Sequence, residues 1–139
     1  MKIGANSRCP CGSEAKYKNC CKKYHNGLIA KDALTLMKSR YSAYAVGDAK
    51  YIIKTTHPNN SQYLSDTQKW IKEIKAFCFL NKFQKLEIVE YINIDPNEAY
   101  VTFIATINNQ KMIEKSRFVK EKKRWLYESG EFLEESVIS

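Results

Sequence analysis

The stretch "QKLEIVEYINIDPNEAYVTFIATI" (residues 84–107) alternates apolar and polar residues on both sides of one interruption. Its second half sets Val101, Phe103, Ala105 and Ile107 on one face, the period of a half-buried β-strand. The interruption, Asp95-Pro96-Asn97-Glu98, places proline where a turn wants φ near −65°. Downstream, Asn108-Asn109 suits a tight hairpin, because Asn tolerates positive φ, and "KMIEKSRFVKE" (residues 111–121) follows. A charged turn from Glu121 to Arg124 then leads into "RWLYESGEF" (residues 124–132). These spacings predict an antiparallel meander of about four strands.

Upstream of the meander the period changes to that of helices. Leu34, Met37, Tyr41, Tyr44 and Ala45 form one apolar stripe from Asp32 onward, and Gly47 stands where a helix ends in the left-handed conformation. Asp48 can cap a shorter helix with Ile52 and Ile53 inward, which must stop near Thr56 because Pro58 disfavours helical geometry at His57. Ser65-x-x-Gln68 reads as a capping box for a third helix burying Trp70, Ile71, Ile74 and Phe77. Helices followed by a run of strands predict an α+β fold with the helices packed on the sheet.

Most of the chain's positive charge lies ahead of these elements. Residues 1–31 carry Lys2, Arg8, Lys16, Lys18, Lys22, Lys23 and Lys31 against Glu14 alone, within a chain of 139 residues and net charge +8. That balance favours an acidic partner, or simply keeps a loop-rich module in solution. The opening residues lack the apolar run of an export signal, and no apolar stretch is long enough to span a membrane, so the sequence places the protein in the cytoplasm. A reducing compartment turns attention to the cysteines as metal ligands or reactive thiols.

Four of the five cysteines stand in "RCPCGSEAKYKNCCKKYH" (residues 8–25), as Cys9-x-Cys11 and the adjacent Cys20-Cys21. Disulfides within either pair would strain the backbone, although a cross-pair such as Cys9 with Cys20 is geometrically open. For a tetrahedral ion the spacing works: Pro10 stiffens the first knuckle, Gly12 supplies an unusual φ, and the intervening loop returns two more thiolates. A segment with so little apolar content needs metal binding to supply its folding free energy. The reading is one structural Zn²⁺ held by Cys9, Cys11, Cys20 and Cys21, with reactive thiols as the competing reading. His25 is the one rival ligand and otherwise a surface side chain, while Cys78 on the third helix reads as a small buried hydrophobe.

"CPCGSEAKYKNCC" resembles the SEC-C motif, the zinc-binding tail best known from the bacterial SecA translocase, with Cys9, Cys11, Cys20 and Cys21 matching its ligands and Glu14 standing where the motif usually has glycine. With "LMKSRYSAYAVGDAKYIIKTTHP" and "EKSRFVKEKKRWLYESGEF", the chain is similar to the YchJ family nearly throughout. That resemblance implies a zinc knuckle over residues 1–27 and, over residues 28–139, a cone-shaped domain of the nuclear-transport-factor-2-like, or SnoaL-like, fold, in which three helices pack on a curved sheet. It also implies a pocket between sheet and helices, and an outer sheet face on which such folds often pair as homodimers. Some members of the family end in a second such motif, and beyond Cys21 this chain has only Cys78, with no further cysteine pair.

The polar residues that could reach the implied pocket are Arg40, Tyr41, Tyr44, His57, Glu114, Ser116 and Arg117. His57 is the most suggestive as a general base, yet no Asp-His or Cys-His spacing commits to catalysis, and Arg40 with Glu114 can equally form a structural ion pair. The sequence therefore favours a binding or adaptor role over an enzyme. Lys16, Lys18, Lys22 and Lys23 would dock the knuckle on an acidic protein or ribonucleoprotein, by the SEC-C resemblance one of the ribosome or secretion machinery. Weak RNA binding without sequence preference is the most that Tyr17 and Tyr24 among these lysines would allow. The alternative is a small-molecule-binding protein or enzyme using the pocket, with the zinc purely structural.

Overall fold

The computed structural model describes residues 3–135; Lys2 of the basic segment lies outside them. A 3-10 turn (Tyr17–Asn19) and the short helix α1 (Cys21–His25) precede α2 (Ala33–Val46), α3 (Ala49–Lys54) and α4 (Thr67–Leu80). Four strands follow, β1 (Phe83–Asp95), β2 (Glu98–Ile107), β3 (Gln110–Glu121) and β4 (Arg124–Leu133), paired antiparallel in the order β1-β2-β3-β4. The α+β expectation and the meander are both met.

Local chemistry sets the boundaries. The Asp32 carboxylate accepts a hydrogen bond from the Thr35 N–H at 2.7 Å to open α2, and Gly47 closes it at φ 81°. Asp48 likewise caps α3 through the Tyr51 N–H at 3.1 Å. The α4 cap is Asp66, which accepts from the Lys69 N–H at 3.1 Å, and not the capping box at Ser65; the carboxylate one residue on is the better acceptor for the exposed N–H groups. The two later hairpins turn on Asn108-Asn109 (φ 53° and 64°) and on Lys122-Lys123 (φ 50° and 67°). Two positive-φ residues give the turn whose twist matches the strands, and at Lys122-Lys123 this geometry is held without a favoured residue. Register shifts interrupt β1 between Phe83 and Lys85, Ile88 and Glu90, and Asn93 and Asp95, and the β3–β4 pair at Arg117/Phe118, bending the sheet around the helices.

Helix α2 is the centre of the molecule. One side carries Met37 and Tyr41 of the apolar stripe, and another buries Ser39 and Ser42, which the stripe omits. That second buried side lies under the cysteine module, so α2 is sandwiched between module and sheet. On α4, Trp70 and Ile74 are buried while Phe77 remains 48% exposed, because the end of that helix lies at the rim of an open cavity. The end of α3 is fastened to β4: the His57 N–H donates to the Tyr127 carbonyl and the Tyr127 N–H to the Thr55 carbonyl, both at 2.8 Å. No helix among the described residues is long and apolar enough to cross a membrane.

Candidate metal centre

The cysteine module begins as a miniature hairpin. Residues Arg8 and Lys16 pair, with the Cys9 N–H donating to the Ala15 carbonyl and the Tyr17 N–H to the Ser7 carbonyl, each at 2.8 Å. At its tip Cys9-Pro10-Cys11-Gly12 forms a turn closed by the Gly12 N–H on the Cys9 carbonyl at 3.2 Å, with Gly12 at φ 86°. Glu14, which stands where the SEC-C motif usually has glycine, adopts φ 70°, a left-handed conformation that costs a residue with a Cβ some backbone strain. The 3-10 turn then carries Cys20 and Cys21 back beneath the hairpin.

The four Sγ atoms lie within 4.8 Å of one another, and Cys11 and Cys20 approach to 3.6 Å. A tetrahedron with metal–sulfur bonds of about 2.3 Å has edges of about 3.8 Å, so the cluster is close enough to hold one metal ion. All five cysteines are free, which removes the cross-paired disulfide. Ser13 Oγ lies 3.1 Å from Cys20 Sγ, Ser42 Oγ 3.5 Å from Cys9 Sγ, and the Lys38 carbonyl 3.7 Å from Cys21 Sγ. Two of these three contacts come from α2, which thus furnishes part of the shell that orients the sulfurs. Without a metal, thiols so close cannot all ionise: hydrogen bonds from Cys11 and Cys21 hold the Cys9 thiol far below its ordinary range, and Cys21, which gives such bonds to Cys11 and Cys9, is pushed up.

His25 is neither a ligand nor a surface side chain. Its Nε2 lies 2.8 Å from the Ser39 carbonyl, which can only accept, so Nε2 carries the proton and Nδ1 accepts from the Tyr17 hydroxyl at 2.6 Å. The ring packs against Tyr51 with centroids 4.7 Å apart and against Tyr17 at 5.6 Å. Both nitrogens are thus occupied, and the imidazole fastens the module to α2 and α3. This contact bridges Asn26-Gly27, which separate α1 from the residues leading into α2. Ser39 and Ser42 were missed by sequence reasoning, which had only their small size and i, i+3 spacing on α2 to find them.

The remaining candidates divide between two places. Arg40, Tyr41, Tyr44, Glu114 and Ser116 line a cavity of about 910 Å³ between the concave face of the sheet and helices α2 and α4. His57 does not line it: the Asn59 N–H donates to Nδ1 at 3.0 Å and Nε2 donates to Glu121 at 2.7 Å, a turn-closing arrangement at the tip of β3. Arg117 is also elsewhere, bonded to Glu98 at 2.7 Å and Glu128 at 3.3 Å. No Arg40–Glu114 ion pair forms among the described residues. Arg40 instead donates to the Ile52 carbonyl and the Thr55 and Thr56 hydroxyls and lies 4.7 Å from the centroid of the Tyr127 ring. Cys78 is half-buried rather than buried, its thiol pushed up to about 11 by desolvation.

Comparisons with known proteins agree with this geometry. Residues 6–24 match the SEC-C motif, and residues 32–130 match the YchJ middle NTF2-like domain. A UPF0225 protein of Enterobacter sp. (strain 638) is 38% identical over 128 residues, covering 88% of this chain and 81% of that protein. One from Vibrio vulnificus is 37% identical over 135 residues, covering 91% and 76%. Among solved structures, the SEC-C motif containing protein RPA3114 of Rhodopseudomonas palustris superposes with a TM-score of 0.75 at 28% identity, covering 91% of this chain and 99% of that one. A SEC-C motif containing protein of Psychrobacter arcticus gives 0.73 at 29%, covering 97% and 84%. With a four-cysteine cluster at its N-terminus and an NTF2-like sheet and helices behind it, the chain belongs to the YchJ (UPF0225) family.

Proposed function

We propose that the protein is a zinc-binding adaptor: one structural Zn²⁺ in the Cys9, Cys11, Cys20, Cys21 cluster shapes a basic knuckle that docks on an acidic protein or ribonucleoprotein surface. The observation that carries this reading is a four-thiol cluster in a module whose lysines reach solvent. Lys16, Lys18 and Lys23 are exposed, Lys22 is half-exposed, and none of them has a carboxylate partner among the described residues. Four thiolates favour zinc, and a fully occupied tetrahedron has no open position for substrate, so the ion would serve shape rather than catalysis.

The similarity to SEC-C proteins points to the translation or secretion machinery as the place to look for the partner. Reversing the charge of Lys16, Lys18, Lys22 and Lys23 together tests the docking. The expected result is retained metal and an unchanged melt with loss of the co-purifying acidic partner and of the salt dependence of binding. An unchanged set of partners would sink the reading, and sequence-independent RNA binding alone would replace it with a nucleic-acid role.

A further inference from the structure

The cone cavity carries a polar site that the adaptor reading does not use. Its walls are mixed aliphatic and polar with a strong aromatic share, from Tyr44, Trp70, Phe77, Phe83, Phe103 and Phe118, and its volume suits a small organic molecule. Within those walls stands one buried carboxylate, Glu114, whose Oε2 accepts from the Ser116 hydroxyl at 2.5 Å and the Tyr127 hydroxyl at 2.8 Å. A side chain at Gly130, opposite Ser116 in the register, would overlap Glu114 Oε2 and the Tyr127 hydroxyl; glycine there leaves the carboxylate its seat. Glu114 Oε1 accepts no hydrogen bond from the described residues. Nearby Arg40, also buried, spends Nη1 on its three oxygens and leaves Nε and Nη2 without protein acceptors among the same residues.

A carboxylate and a guanidinium that line one cavity without pairing each keep hydrogen-bonding positions open to a molecule in that cavity. Their charges cancel, so an ammonium would be drawn to Glu114 but repelled by Arg40, and a carboxylate the reverse. We propose that this cavity binds a small neutral aromatic molecule carrying an amide-like group, its N–H donating to Glu114 Oε1, its carbonyl accepting from Arg40 and its ring against the aromatic walls. The two hydroxyls on Oε2 fix the carboxylate so that one oxygen is presented to the ligand.

The test is calorimetric titration of the full-length metal-loaded protein with phenylacetamide, indole-3-acetamide and naphthalene-1-acetamide, each beside its methyl ester, which keeps the carbonyl and loses the N–H. At least one amide should bind tenfold or more tightly than its ester, because the ester leaves Glu114 Oε1 facing an oxygen. In Glu114→Gln the amide oxygen keeps the Ser116 and Tyr127 bonds and its NH₂ faces the cavity, so the preference should vanish or reverse. Ala105→Phe, which fills the cavity from β2, should remove binding of both. The proposal is overturned if none of the six probes binds, if every amide binds no better than its ester, or if Glu114→Gln leaves the ratio unchanged. The ratio in the unsubstituted protein decides the matter even where Glu114→Gln folds poorly.

Discussion

Replacing His25 by alanine asks whether the cysteine module is fastened to the cone domain or hangs from it. The substitution removes two hydrogen bonds, to the Tyr17 hydroxyl and the Ser39 carbonyl, and the packing between Tyr17 and Tyr51. Each hydrogen bond contributes about 1 kcal/mol net, and more where the abandoned partner stays buried, as Tyr17 is. The aromatic contacts add about 0.5–1.5 kcal/mol. Because His25 is only half-buried, water can reach part of the gap, and the expected loss is about 2–3 kcal/mol. In a chain of this size that lowers the melting temperature by roughly 5–10 °C. His25→Phe keeps the packing and forfeits the hydrogen bonds, so it should recover about a third to a half of the loss. Denaturant unfolding of the metal-loaded protein measures both, with metal content determined in parallel. A His25→Ala cost under about 0.5 kcal/mol would show that the staple contributes nothing, since that is the effect of an ordinary surface change. Loss of the metal in His25→Phe, whose packing is intact, would show that the imidazole is a ligand.

Further expectations follow from single positions. Glu14→Gly should stabilise the metal-loaded protein by about 0.5–1 kcal/mol in the same assay, since a non-glycine residue at φ 70° carries strain that glycine avoids. Leu36→Ala, at 2% exposure in α2, should cost about 2–5 kcal/mol and leave metal content unchanged. Hydrogen bonding to Ser129, followed by the Arg117 guanidinium, holds the Glu128 carboxyl below its ordinary range. A depressed folded-state value gives stability that is present above the unfolded carboxyl range and lost as the pH falls through the folded one. Glu128→Gln should therefore flatten the acid limb of a stability–pH curve below about pH 4.5, by less than about 1 kcal/mol because the pair is partly solvated.

The parts of this molecule that could be read from sequence are those decided by local chemistry. Period-two alternation in β2, Asn108-Asn109 at a hairpin and Gly47 after α2 each report on backbone geometry within a few residues. The four thiols were legible because their spacing and softness constrain them to a small set of uses. What escaped depends on contacts between distant segments. Ser39 and Ser42 look like polar interruptions of an amphipathic helix until the module is laid over them, and His25 looks exposed until Ser39 lies 2.8 Å from its ring. His57 drew attention as a histidine at a helix end beside the implied cavity, and its two nitrogens are spent on Asn59 and Glu121, away from that cavity. The capping box at Ser65 failed for a smaller reason: Asp66, next in sequence, competes for the same N–H groups and wins.

The central claim is that four cysteines hold one structural zinc. Elemental analysis of the protein purified without added metal, together with Cys9→Ser, Cys11→Ser, Cys20→Ser, Cys21→Ser and Cys78→Ser, tests it most directly. The account predicts one zinc per chain in the unsubstituted protein and in Cys78→Ser, and loss of zinc, with a lowered melting temperature, in each of the other four. An unsubstituted protein without metal, or Cys20→Ser retaining a full equivalent of zinc, would contradict it.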